Sequence, residues 1–532
     1  MSTSDYLSPP AENQQGDITL TPEEQTATDV LASCGFEDIP LADYIARGIV
    51  ATPDDDVVRQ LTTPFTPLVE RFAWSKGLGW LGWDGKRWAS VSTETVGEAV
   101  RKAVRATYLA GASNATTSAA LNTLKPLLAY SKVTKVTDQL RGILEVRPEE
   151  FDAHPDLLNV QNGVVDLRTG DLMPHDAAYR FTKITKGRYG VNTTHADWLK
   201  TLKALPDDVR GYMQYRYGQA LTGYMASDDK LAIQQGGGRN AKSTLVNAVV
   251  NAAGDYACFV PEAVLTAGPN AHPTEMMTLR GVRLAVVEEL PEGRQLPVKR
   301  LKDLVGTQRI QARYMRQDFV TFDASHSLFV NTNYVPKVAE TDHGTWERLL
   351  LIRFPYTYLV PPEVPLDPER ERVADPGLRG RMERGDEDVW DAVLFWAVQG
   401  AVKWYADGRT MPPIPDRILS DTLAWRQDAD LILAYLTERM DIDPDASVAA
   451  SELYEDFKAW LILNEHPAWT PKTFVDRFGS HKVIERANIT SGVTRTHANV
   501  SRRSWGVSTM TALPEQVKVW RGLRYKRQGV AA

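Results

Sequence analysis

Cysteine is almost absent from this sequence of 532 residues, which has two cysteines, Cys34 and Cys258. So few cysteines exclude a disulfide framework and a cysteine-rich zinc module. Long hydrophobic runs are also lacking, because no stretch approaches the ~18 consecutive apolar residues of a transmembrane helix. The polar N-terminus has no basic-then-apolar signal pattern. These absences predict a cytoplasmic protein that has no membrane partner.

An excess of positive charge is lacking as well, since the net charge is −7. The chain as a whole therefore cannot be a basic nucleic-acid coat, and any DNA-binding surface must be local. The hydrophobic fraction of 43% and the charged fraction of 24% are ordinary for globular protein. The length predicts roughly three or four domains at ~150 residues each.

The sequence pattern of the N-terminal 200 residues predicts a polar segment followed by a compact α+β domain. We expect residues 1–60 to be disordered or to carry short helices, and residues 61–200 to form a domain. Four tryptophans fall close together around Asp84–Gly85, and the alternating apolar pattern there predicts a β-hairpin. These tryptophans suit core packing, with base stacking as the alternative.

The C-terminal half alternates predicted strands and helices from Leu231 to about Phe354. That alternation is typical of a parallel sheet covered by helices, so we predict an α/β domain over residues 201–410. The proline- and charge-rich residues 361–388 predict an exposed loop. A small C-terminal domain is expected over residues 418–532.

A glycine-rich loop between a predicted strand and a predicted helix is the most informative segment. Glycines let backbone N–H groups wrap closely around phosphate oxygens, and the following helix points its positive end at the same anion. Lys242 supplies a mobile charge for the β- and γ-phosphates of ATP, and the Ser243 hydroxyl is placed to ligate Mg²⁺. The predicted nucleotide-binding loop comprises Gly236, Gly237, Gly238, Arg239, Asn240, Ala241, Lys242, Ser243 and Thr244.

One position departs from the G-x-x-x-x-G-K-[ST] pattern, because Ala241 stands where the second glycine belongs. Alanine keeps its backbone N–H and can still donate to phosphate. The departure would be harmful only if this position requires a positive φ. A glycine-rich turn that carries a lysine by chance is the alternative interpretation.

Two carboxylates follow an apolar strand downstream of the loop. Glu288 and Glu289 end the segment RLAVVEEL, and ligands of a parallel α/β sheet lie beyond the carboxyl ends of its strands. We assign Glu288 mainly to Mg²⁺ and Glu289 mainly to polarising the attacking water. Solvated acidic residues at a strand end are the alternative.

Two further side chains are candidates for the same site. Asn333 ends the segment HSLFVNTN, where a buried asparagine can orient the lytic water or sense the γ-phosphate. Arg348 precedes an apolar run, and an arginine that reaches a neighbour's γ-phosphate would stabilise charge in the transition state. A surface ion pair is the alternative for Arg348.

The order of these motifs resembles the helicase part of phage and plasmid primase–helicases, which are related to the poxvirus primase–helicase. These are superfamily 3 helicases of the AAA+ class, and the resemblance covers residues 65–532 approximately. The loop, VVEEL, FVNTNYVP and WERLLLIRF resemble the family's phosphate-loop, acidic, sensor-asparagine and arginine-finger motifs. The motif that enters the helicase matches at Asn159, Asn162, Gly163, Asp166, Leu167, Thr169 and Gly170.

The segment IQARYMRQDFVTF resembles the motif whose hairpin faces DNA in a central pore. Its tip would be Arg316–Asp318, and Gln317 stands where the family often has a lysine. The resemblance therefore moves the DNA contact to Arg316, with Lys302 and Arg313 as further expected DNA contacts.

The resemblance implies an AAA+ P-loop ATPase core with a parallel sheet, preceded by a helicase-associated α+β region and followed by a winged-helix-like domain. It implies ATP and Mg²⁺ as cofactors and a homo-hexameric ring, with single-stranded DNA in the pore. Arg348 would then act on the neighbouring subunit's site. If a phage encodes the chain, the location is the host cytoplasm. Priming, if the system has it, is expected from a separate primase, because the upstream carboxylate run Asp54–Asp56 follows Thr-Pro and no apolar strand and is interpreted as a loop or helix cap.

The C-terminal domain would hold a fork or duplex. Its last stretch is locally basic, because Glu485 and Glu515 are outnumbered. A solubilising surface is the alternative interpretation. The basic residues are Lys482, Arg486, Arg495, Arg502, Arg503, Lys518, Arg521, Arg524, Lys526 and Arg527.

A second hypothesis of a different class stays open. The chain could be an ATP-gated DNA-binding or origin-recognition module that oligomerises without unwinding DNA. Ala241 and Gln317, the two departures from the family pattern, favour it.

Overall fold

The computed structural model divides the chain into two compact units. The first is Met1–Thr193 with Asn251–Tyr256, and the second is Thr194–Val250 with Ala257–Ala532. Among the described helices, none has the length and apolar character needed to cross a membrane. Residues 1–60, expected to be disordered or helical, lie outside the described residues. The described residues are 67–113, 122, 125–267, 273–293, 296–313, 319–338, 343–503 and 513–526.

The first unit combines helices with two small antiparallel sheets, β1-β2-β3 and β4-β5-β6. Its elements are α1 (Pro67–Arg71), β1 (Phe72–Ser75), β2 (Gly79–Trp83), β3 (Trp88–Ser90), α2 (Thr93–Ser113), α3 (Tyr130–Ile143), β4 (Leu157–Val160), β5 (Gly163–Asp166) and β6 (Asp171–Met173). The predicted hairpin is confirmed, because β2 and β3 pair Trp83 with Trp88 around Gly85, whose φ is 95°. Both tryptophans are buried, so they pack in the core.

The second unit is built around a five-stranded sheet with the order β13-β7-β12-β9-β8, in which every strand pair is parallel. Its elements up to the last of these strands are α4 (Ala196–Leu202), α5 (Asp207–Ala220), β7 (Leu231–Gln235), α6 (Lys242–Ala253), β8 (Ala257–Val260), α7 (Ala263–Thr266), β9 (Leu284–Glu288), α8 (Val298–Gly306), β10 (Arg309–Ala312), β11 (Val320–Asp323), β12 (Ser327–Thr332), α9 (His343–Trp346) and β13 (Leu349–Arg353). The predicted parallel α/β core is confirmed. Since all of these strands run the same way, the residues that follow β7, β9 and β12 meet at one edge.

The central position of β12 in this sheet explains why its sequence is apolar. All six residues of β12 are buried, because neighbours flank the strand on both sides and helices cover both faces. Phe329 of β12 stacks on Tyr217 of α5 with 4.9 Å between the ring centroids. The side chains at the end of this strand are therefore held on a rigid support.

In the same unit, helix α5 packs closely against helix α11 (Val389–Ala406). A Cβ added at Gly218 would lie 2.2 Å from the backbone nitrogen of Ala401, and one at Gly400 would lie 2.0 Å from the carbonyl oxygen of Gln214. Glycine is needed at both positions because the two backbones nearly touch.

The segment after β13 is more ordered than the expected exposed loop. It contains β14 (Thr357–Leu359), β15 (Glu371–Val373) and α10 (Leu378–Arg384), and β14 pairs with β15 in parallel. The expectation of a plain loop over residues 361–388 is therefore wrong. Arg381 of α10 donates to both carboxylate oxygens of Asp197 on α4, and this contact between distant segments fixes the helix in place.

The C-terminal part of the second unit packs four helices around a sheet of order β17-β19-β16-β18. It follows α12 (Asp416–Ala429), whose Trp425 is buried against the parallel-sheet core. The elements are α13 (Leu431–Arg439), β16 (Met440–Ala449), α14 (Ala450–Leu463), α15 (Pro471–Gly479), α16 (Lys482–Arg486), β17 (Thr490–Thr494), β18 (Val500–Ser501) and β19 (Val517–Tyr525). They enclose an aromatic-rich core that includes Tyr435, Phe457 and Phe474.

Candidate nucleotide-binding site

The glycine-rich loop connects β7 to α6 at the carboxyl edge of the parallel sheet. A Cβ on Gly236 would lie 1.8 Å from Nδ2 of Asn240, so any larger residue here would displace the Asn240 side chain. Oδ1 of Asn240 accepts from the backbone nitrogen of Lys242 at 3.3 Å, which closes the loop on the first residue of the helix. This hydrogen bond constrains the backbone of the loop, whose residues Gly238 to Thr244 line the cavity described below.

The loop contains two non-glycine residues in the left-handed region. Arg239 has a φ of 46° and Ala241 a φ of 58°. Ala241 thus occupies the one kind of conformation in which alanine is a worse choice than glycine. An alanine in this region costs about 1 kcal/mol or more, because its Cβ approaches the neighbouring carbonyl oxygen.

We predict that Ala241→Gly relieves this strain without changing nucleotide affinity. Because glycine adopts a φ of 58° without steric cost and keeps the same backbone N–H, it should raise the free energy of unfolding by up to ~1 kcal/mol and leave the Kd for ATP within about threefold. Urea unfolding and calorimetric titration measure the two quantities. Ala241→Val is the matched control and should destabilise the protein. A large gain in ATP turnover for Ala241→Gly would contradict the prediction and favour the module that binds without unwinding.

Lys242 begins α6 and is only 4% exposed. Its Nζ donates to the carbonyl oxygen of Thr332 and, at 3.1 Å, to Oδ1 of Asn333. Burial lowers the pKa of Lys242 to about 8, and the nearby charge of Glu289 opposes that shift. The ammonium therefore bridges the loop and the end of β12, at the base of the cavity.

This pKa predicts that ATP affinity falls as the pH rises from 7 to 9. The free protein carries a charged Lys242 below about pH 8 and a neutral one above it. Attraction to phosphate requires the charged form, so the Kd should rise about tenfold between the two pH values. Lys242→Arg should show a flat profile, since a guanidinium stays charged throughout this range. Parallel profiles for the two proteins would contradict the assignment.

The two predicted carboxylates lie where the sequence placed them. β9 ends at Glu288, and Glu289 follows with a φ of 51° while its backbone nitrogen donates to the carbonyl oxygen of Asn331 at 2.8 Å. Both side chains are exposed and line a cavity of about 560 Å³, called here the phosphate cavity. Its lining residues are Gly238, Arg239, Asn240, Ala241, Lys242, Ser243, Thr244, Asn247, Glu288, Glu289, Asn331, Asn333 and Arg379.

The asparagines at the end of β12 differ from expectation. Asn333 was predicted to be buried, but it follows the strand and is exposed, with Oδ1 accepting from Lys242. The buried asparagine is Asn331, which is 4% exposed and whose Oδ1 has no hydrogen-bond partner among the described residues. The sequence offers no signal that separates the two, because both follow the same apolar run and only the end of β12 at Thr332 decides which is buried.

Buried polar atoms without partners surround the phosphate cavity. Nδ2 of Asn240 and Oδ1 of Asn331 both lack a hydrogen bond within the described chain. Buried polar groups are usually satisfied, so such atoms beside a cavity indicate a polar ligand. The residues there also fit a magnesium ion, which prefers oxygen ligands, because the Ser243 hydroxyl and the carboxylates of Glu288 and Glu289 line the same space.

Two residues of the phosphate cavity were not predicted from the sequence. Asn247 lies one turn along α6 from Ser243, and helical spacing could have identified it. Arg379 comes from α10, inside the segment expected to be a loop. Its Nε donates to Glu383 at 2.7 Å, and Glu383 also accepts from Asn247 at 3.4 Å. No local signal marks Arg379, because only the folding of α10 brings it to the cavity.

Arg348 does not belong to the phosphate cavity of its own chain. Its Nη1 donates to the carbonyl oxygen of Gly344 at 2.6 Å, while its backbone oxygen accepts from Leu231 at 2.8 Å. Its Nε is buried and has no hydrogen-bond partner among the described residues. The residue therefore sits at the start of β13, away from the loop of the same subunit.

The predicted DNA-facing hairpin is present as a two-stranded ladder, in which β10 pairs with β11 antiparallel. The expected tip, Arg316–Asp318, lies outside the described residues. Arg313 enters the tip with its guanidinium carbon 4.5 Å from the centroid of the Phe319 ring, and Phe319 is 52% exposed. Lys302 is exposed on α8, the helix before the hairpin.

Part of the positive charge of the basic C-terminal stretch is paired with carboxylates in the fold. Arg502, Arg503 and Arg524 form ion pairs with carboxylates that lie earlier in the same domain. The partners are, respectively, Glu452, Asp456 and Asp443. Other basic side chains of the stretch remain exposed, among them Lys482, Arg486, Arg495 and Lys518. Folding therefore neutralises part of the positive charge that the sequence count suggested.

Comparison with known proteins gives one family match and several viral relatives. Residues 68–205 match the family described as D5 N terminal like. The relative named primase C962R of African swine fever virus is 26% identical over 337 residues, or 59% of this chain and 34% of that protein. The relative named helicase 022R of Frog virus 3 is 25% identical over 239 residues, or 43% of this chain and 24% of that protein. The chain therefore spans about a third or less of these relatives.

Among solved structures, the apo C-terminal region of NrS-1 is similar to 74% of this chain and 90% of its own length. The identity is 9% and the TM-score is 0.37, which is too low to carry an argument about fold or function. The similarity that bears on function is that of residues 68–205 to the D5 N terminal like family and of longer stretches to the viral relatives. These sequence matches show that parts of the chain are similar to viral proteins named as primase and helicase.

Proposed function

We propose that this chain is an ATP-driven replicative DNA helicase of superfamily 3, with an AAA+ core that assembles into a hexameric ring and translocates on DNA. The observation that carries the proposal is the phosphate cavity. There the glycine-rich loop, the buried Lys242, the acidic pair Glu288 and Glu289, and two asparagines converge at the carboxyl edge of a parallel sheet. Similarity to viral relatives named as helicases supports the same conclusion.

Each side chain of the phosphate cavity has its own role in hydrolysis, which follows from its position. Lys242 binds the β- and γ-phosphates and exchanges its contacts with Thr332 and Asn333 for phosphate oxygens. Asn333, released from Lys242, orients the attacking water, and Glu289 polarises that water by accepting its proton. The buried Asn331 offers its Oδ1, which has no partner among the described residues, to the same water.

Magnesium fits this arrangement through the Ser243 hydroxyl and Glu288, both of which line the phosphate cavity. When bound there, the ion would supply positive charge that offsets the negative charge of the triphosphate during hydrolysis. The preformed loop and the charge of Lys242 orient the triphosphate independently of the ion.

In the proposed ring, each subunit supplies a positive charge to the ATP site of its neighbour. Arg348 lies away from the phosphate cavity of its own subunit, which suits a role at the site of the next subunit. DNA would pass through the central pore, where the β10–β11 hairpin presents Arg313 and the exposed Phe319 near its tip. The C-terminal domain, proposed to be winged-helix-like, would hold the fork through exposed cations such as Lys482 and Lys518.

An ATP-gated DNA-binding module that does not unwind is the second candidate. The positive φ of Ala241 and the ion pairs that neutralise Arg502, Arg503 and Arg524 favour it, because both weaken features on which a motor depends. Strand displacement is the property that separates the two candidates.

The deciding experiment measures ATPase activity and strand displacement on the same preparation, with a forked duplex that carries a fluorophore and a quencher. We expect DNA-stimulated hydrolysis and displacement that requires hydrolysable ATP. Electron microscopy with an ATP analogue and the same fork should show rings. Hydrolysis and DNA binding without displacement would support the module instead, and absence of both would overturn the assignment of the site.

A further inference from the structure

Arg348 and the glycine-rich loop lie at opposite ends of the same strand in one subunit. Arg353 ends β13 beside Gln235, which leads into the loop, whereas Arg348 immediately precedes the strand. At ~3.3 Å per residue, the two ends of this stretch are roughly 16 Å apart. The proposed shared site therefore needs a second copy of the chain, and the surfaces that flank the loop and Arg348 are the ones that would meet.

A proline-rich segment borders the phosphate cavity. Residues 360–371, called here the strap, carry two apolar side chains with little cover, because Val364 is 73% exposed and Leu366 is 91% exposed. The strap contacts the loop through an ion pair of 3.3 Å between Glu363 and Arg239, which lines the cavity. Val364 and Leu366, the strap tip, therefore form an apolar surface beside the cavity.

Hydrogen bonds fix the base of the strap. Oε2 of Glu371 accepts from the backbone nitrogens of Leu366 at 2.6 Å and Asp367 at 3.2 Å. The strands that flank the strap pair with each other, and the backbone nitrogen of Ala374 donates to the carbonyl oxygen of Leu359 at 2.7 Å. An exposed apolar tip on a fixed base loses little freedom when a partner covers it, so it suits docking.

Helix α12 covers the open edge of the sheet on the side of Arg348. β13 is the edge strand, and the backbone nitrogen of Leu351 donates to Oγ1 of Thr422 at 3.0 Å. The centroid of the Trp425 ring lies 5.0 Å from that of Trp346, two residues before Arg348. α12 therefore lies along β13 with its C-terminal end towards Arg348, and a second copy meets this helix instead of a free strand edge.

The outer face of α12 is apolar. Leu419 is 48% exposed and Leu423 is 54% exposed, and their spacing of four residues places them on one face of the helix, called here the α12 stripe. Arg426 lies one turn further towards Arg348, is partly exposed and forms no ion pair with the described residues. The α12 stripe thus has a cation at the end nearer Arg348.

The charges beside the strap tip and the α12 stripe have opposite signs. The strap contains four carboxylates and one arginine, and its Glu369 is exposed. Arg426 offers the opposite charge beside the α12 stripe. Like charges disfavour a contact between two strap tips, whereas a tip and a stripe attract each other, so the charges select a head-to-tail contact.

We propose that the strap tip of one subunit packs on the α12 stripe of a second copy of this chain, and that this contact brings the second copy's Arg348 to the phosphate cavity. The inference rests on the proposed function, because it assigns the surfaces that hold the proposed ring together. Tip and stripe are different surfaces of one chain, so the contact can repeat around a ring.

Cross-linking between two single-cysteine variants tests the contact directly. Leu366→Cys and Leu423→Cys are prepared separately in a background in which Cys34 and Cys258 are replaced by serine, and are oxidised with diamide in the presence of a non-hydrolysable ATP analogue. Each variant alone should stay monomeric on a non-reducing gel. The equimolar mixture should give a dimer band, because about one interface in four pairs the two cysteines when subunits mix at random.

Sedimentation velocity tests whether the contact drives assembly. Leu366→Glu and Leu423→Glu should each raise the concentration for half-assembly at least tenfold, because the contact would bury a carboxylate without a partner. ATP turnover should fall with the loss of oligomer, while the Kd for ATP stays within about threefold, since neither residue lines the phosphate cavity. Leu463→Glu is the matched control, because Leu463 is 72% exposed on α14, and it should assemble within twofold of the wild type.

If the cysteine-free background forms rings but the mixture gives no cross-link, the inference is overturned and the proposed ring stands. Unchanged assembly of both glutamate variants, or cross-linking of Leu366→Cys alone, would also overturn it. Failure of the wild type to form oligomers with the ATP analogue and DNA would overturn the proposed ring and this inference together.

Discussion

Replacing Lys242 with alanine is expected to reduce ATP hydrolysis by a factor of ~10² to 10³ or more, the cost of losing one well-placed donor to developing charge. The reason lies in its position, because the Lys242 ammonium is buried at the base of the phosphate cavity. The fold should persist, since Thr332, one of its two acceptors, also accepts from the backbone nitrogen of Gly236 at 3.3 Å. Steady-state ATPase assays and thermal unfolding measure the two effects.

Glu289→Gln is the matched contrast. It removes the polarising carboxylate but keeps the shape of the side chain, so ATP binding should survive while turnover is lost. Near-wild-type hydrolysis in Lys242→Ala would remove this loop from the active site. Loss of binding in Glu289→Gln would show that the roles of Glu288 and Glu289 are reversed or that Glu289 is structural.

Replacing Arg348 with alanine is expected to stop hydrolysis in the assembled ring, by a factor of ~10³–10⁵ if it behaves as arginine fingers do in other NTPases. Mixing this variant with Lys242→Ala should restore activity. An equimolar random ring pairs an intact loop with an intact arginine at about one interface in four, because each site is shared between neighbours. ATPase activity as a function of mixing ratio is the measurement.

Each variant alone should remain inactive at every concentration, which is the control for recovery. If mixing restores nothing while size-exclusion chromatography shows intact rings, the shared-site arrangement is wrong and Arg348 acts within its own subunit. If the Arg348→Ala rings fall apart, the residue holds the interface between subunits together instead of acting in hydrolysis.

The chemistry of the site was readable from the sequence because it depends on local patterns. A strand, a glycine-rich turn, Lys242 and a helix follow one another directly, and Glu288 ends an apolar strand of ordinary length. In a parallel sheet such strand ends must share one edge, so sequence order alone brings the loop and the carboxylates together. The hairpin at Gly85 was equally local, since a tight turn selects its own residues.

Properties that depend on contacts between distant segments were not readable. The sequence motif indicates that alanine at position 241 is unfavourable if its φ is positive. Only the folded loop shows that this φ is 58°. Both Asn331 and Asn333 follow an apolar run, and only the end of β12 decides which is buried. Arg502 counts as a free cation along the chain until Glu452, fifty residues earlier, neutralises it.

The segment after β13 shows most clearly the difference between what local sequence predicts and what tertiary contacts determine. Its prolines and charges, taken one at a time, are typical of a solvated loop. In the fold, Asp197 of α4 and Asp375 hold Arg381, and α10 then places Arg379 over the phosphate cavity. The sequence by itself thus determined the phosphate-binding chemistry and the parallel sheet, through periodicity and turn geometry. Tertiary structure alone decided how the cavity around that loop is enclosed, because ion pairs and burial join residues that no local pattern connects.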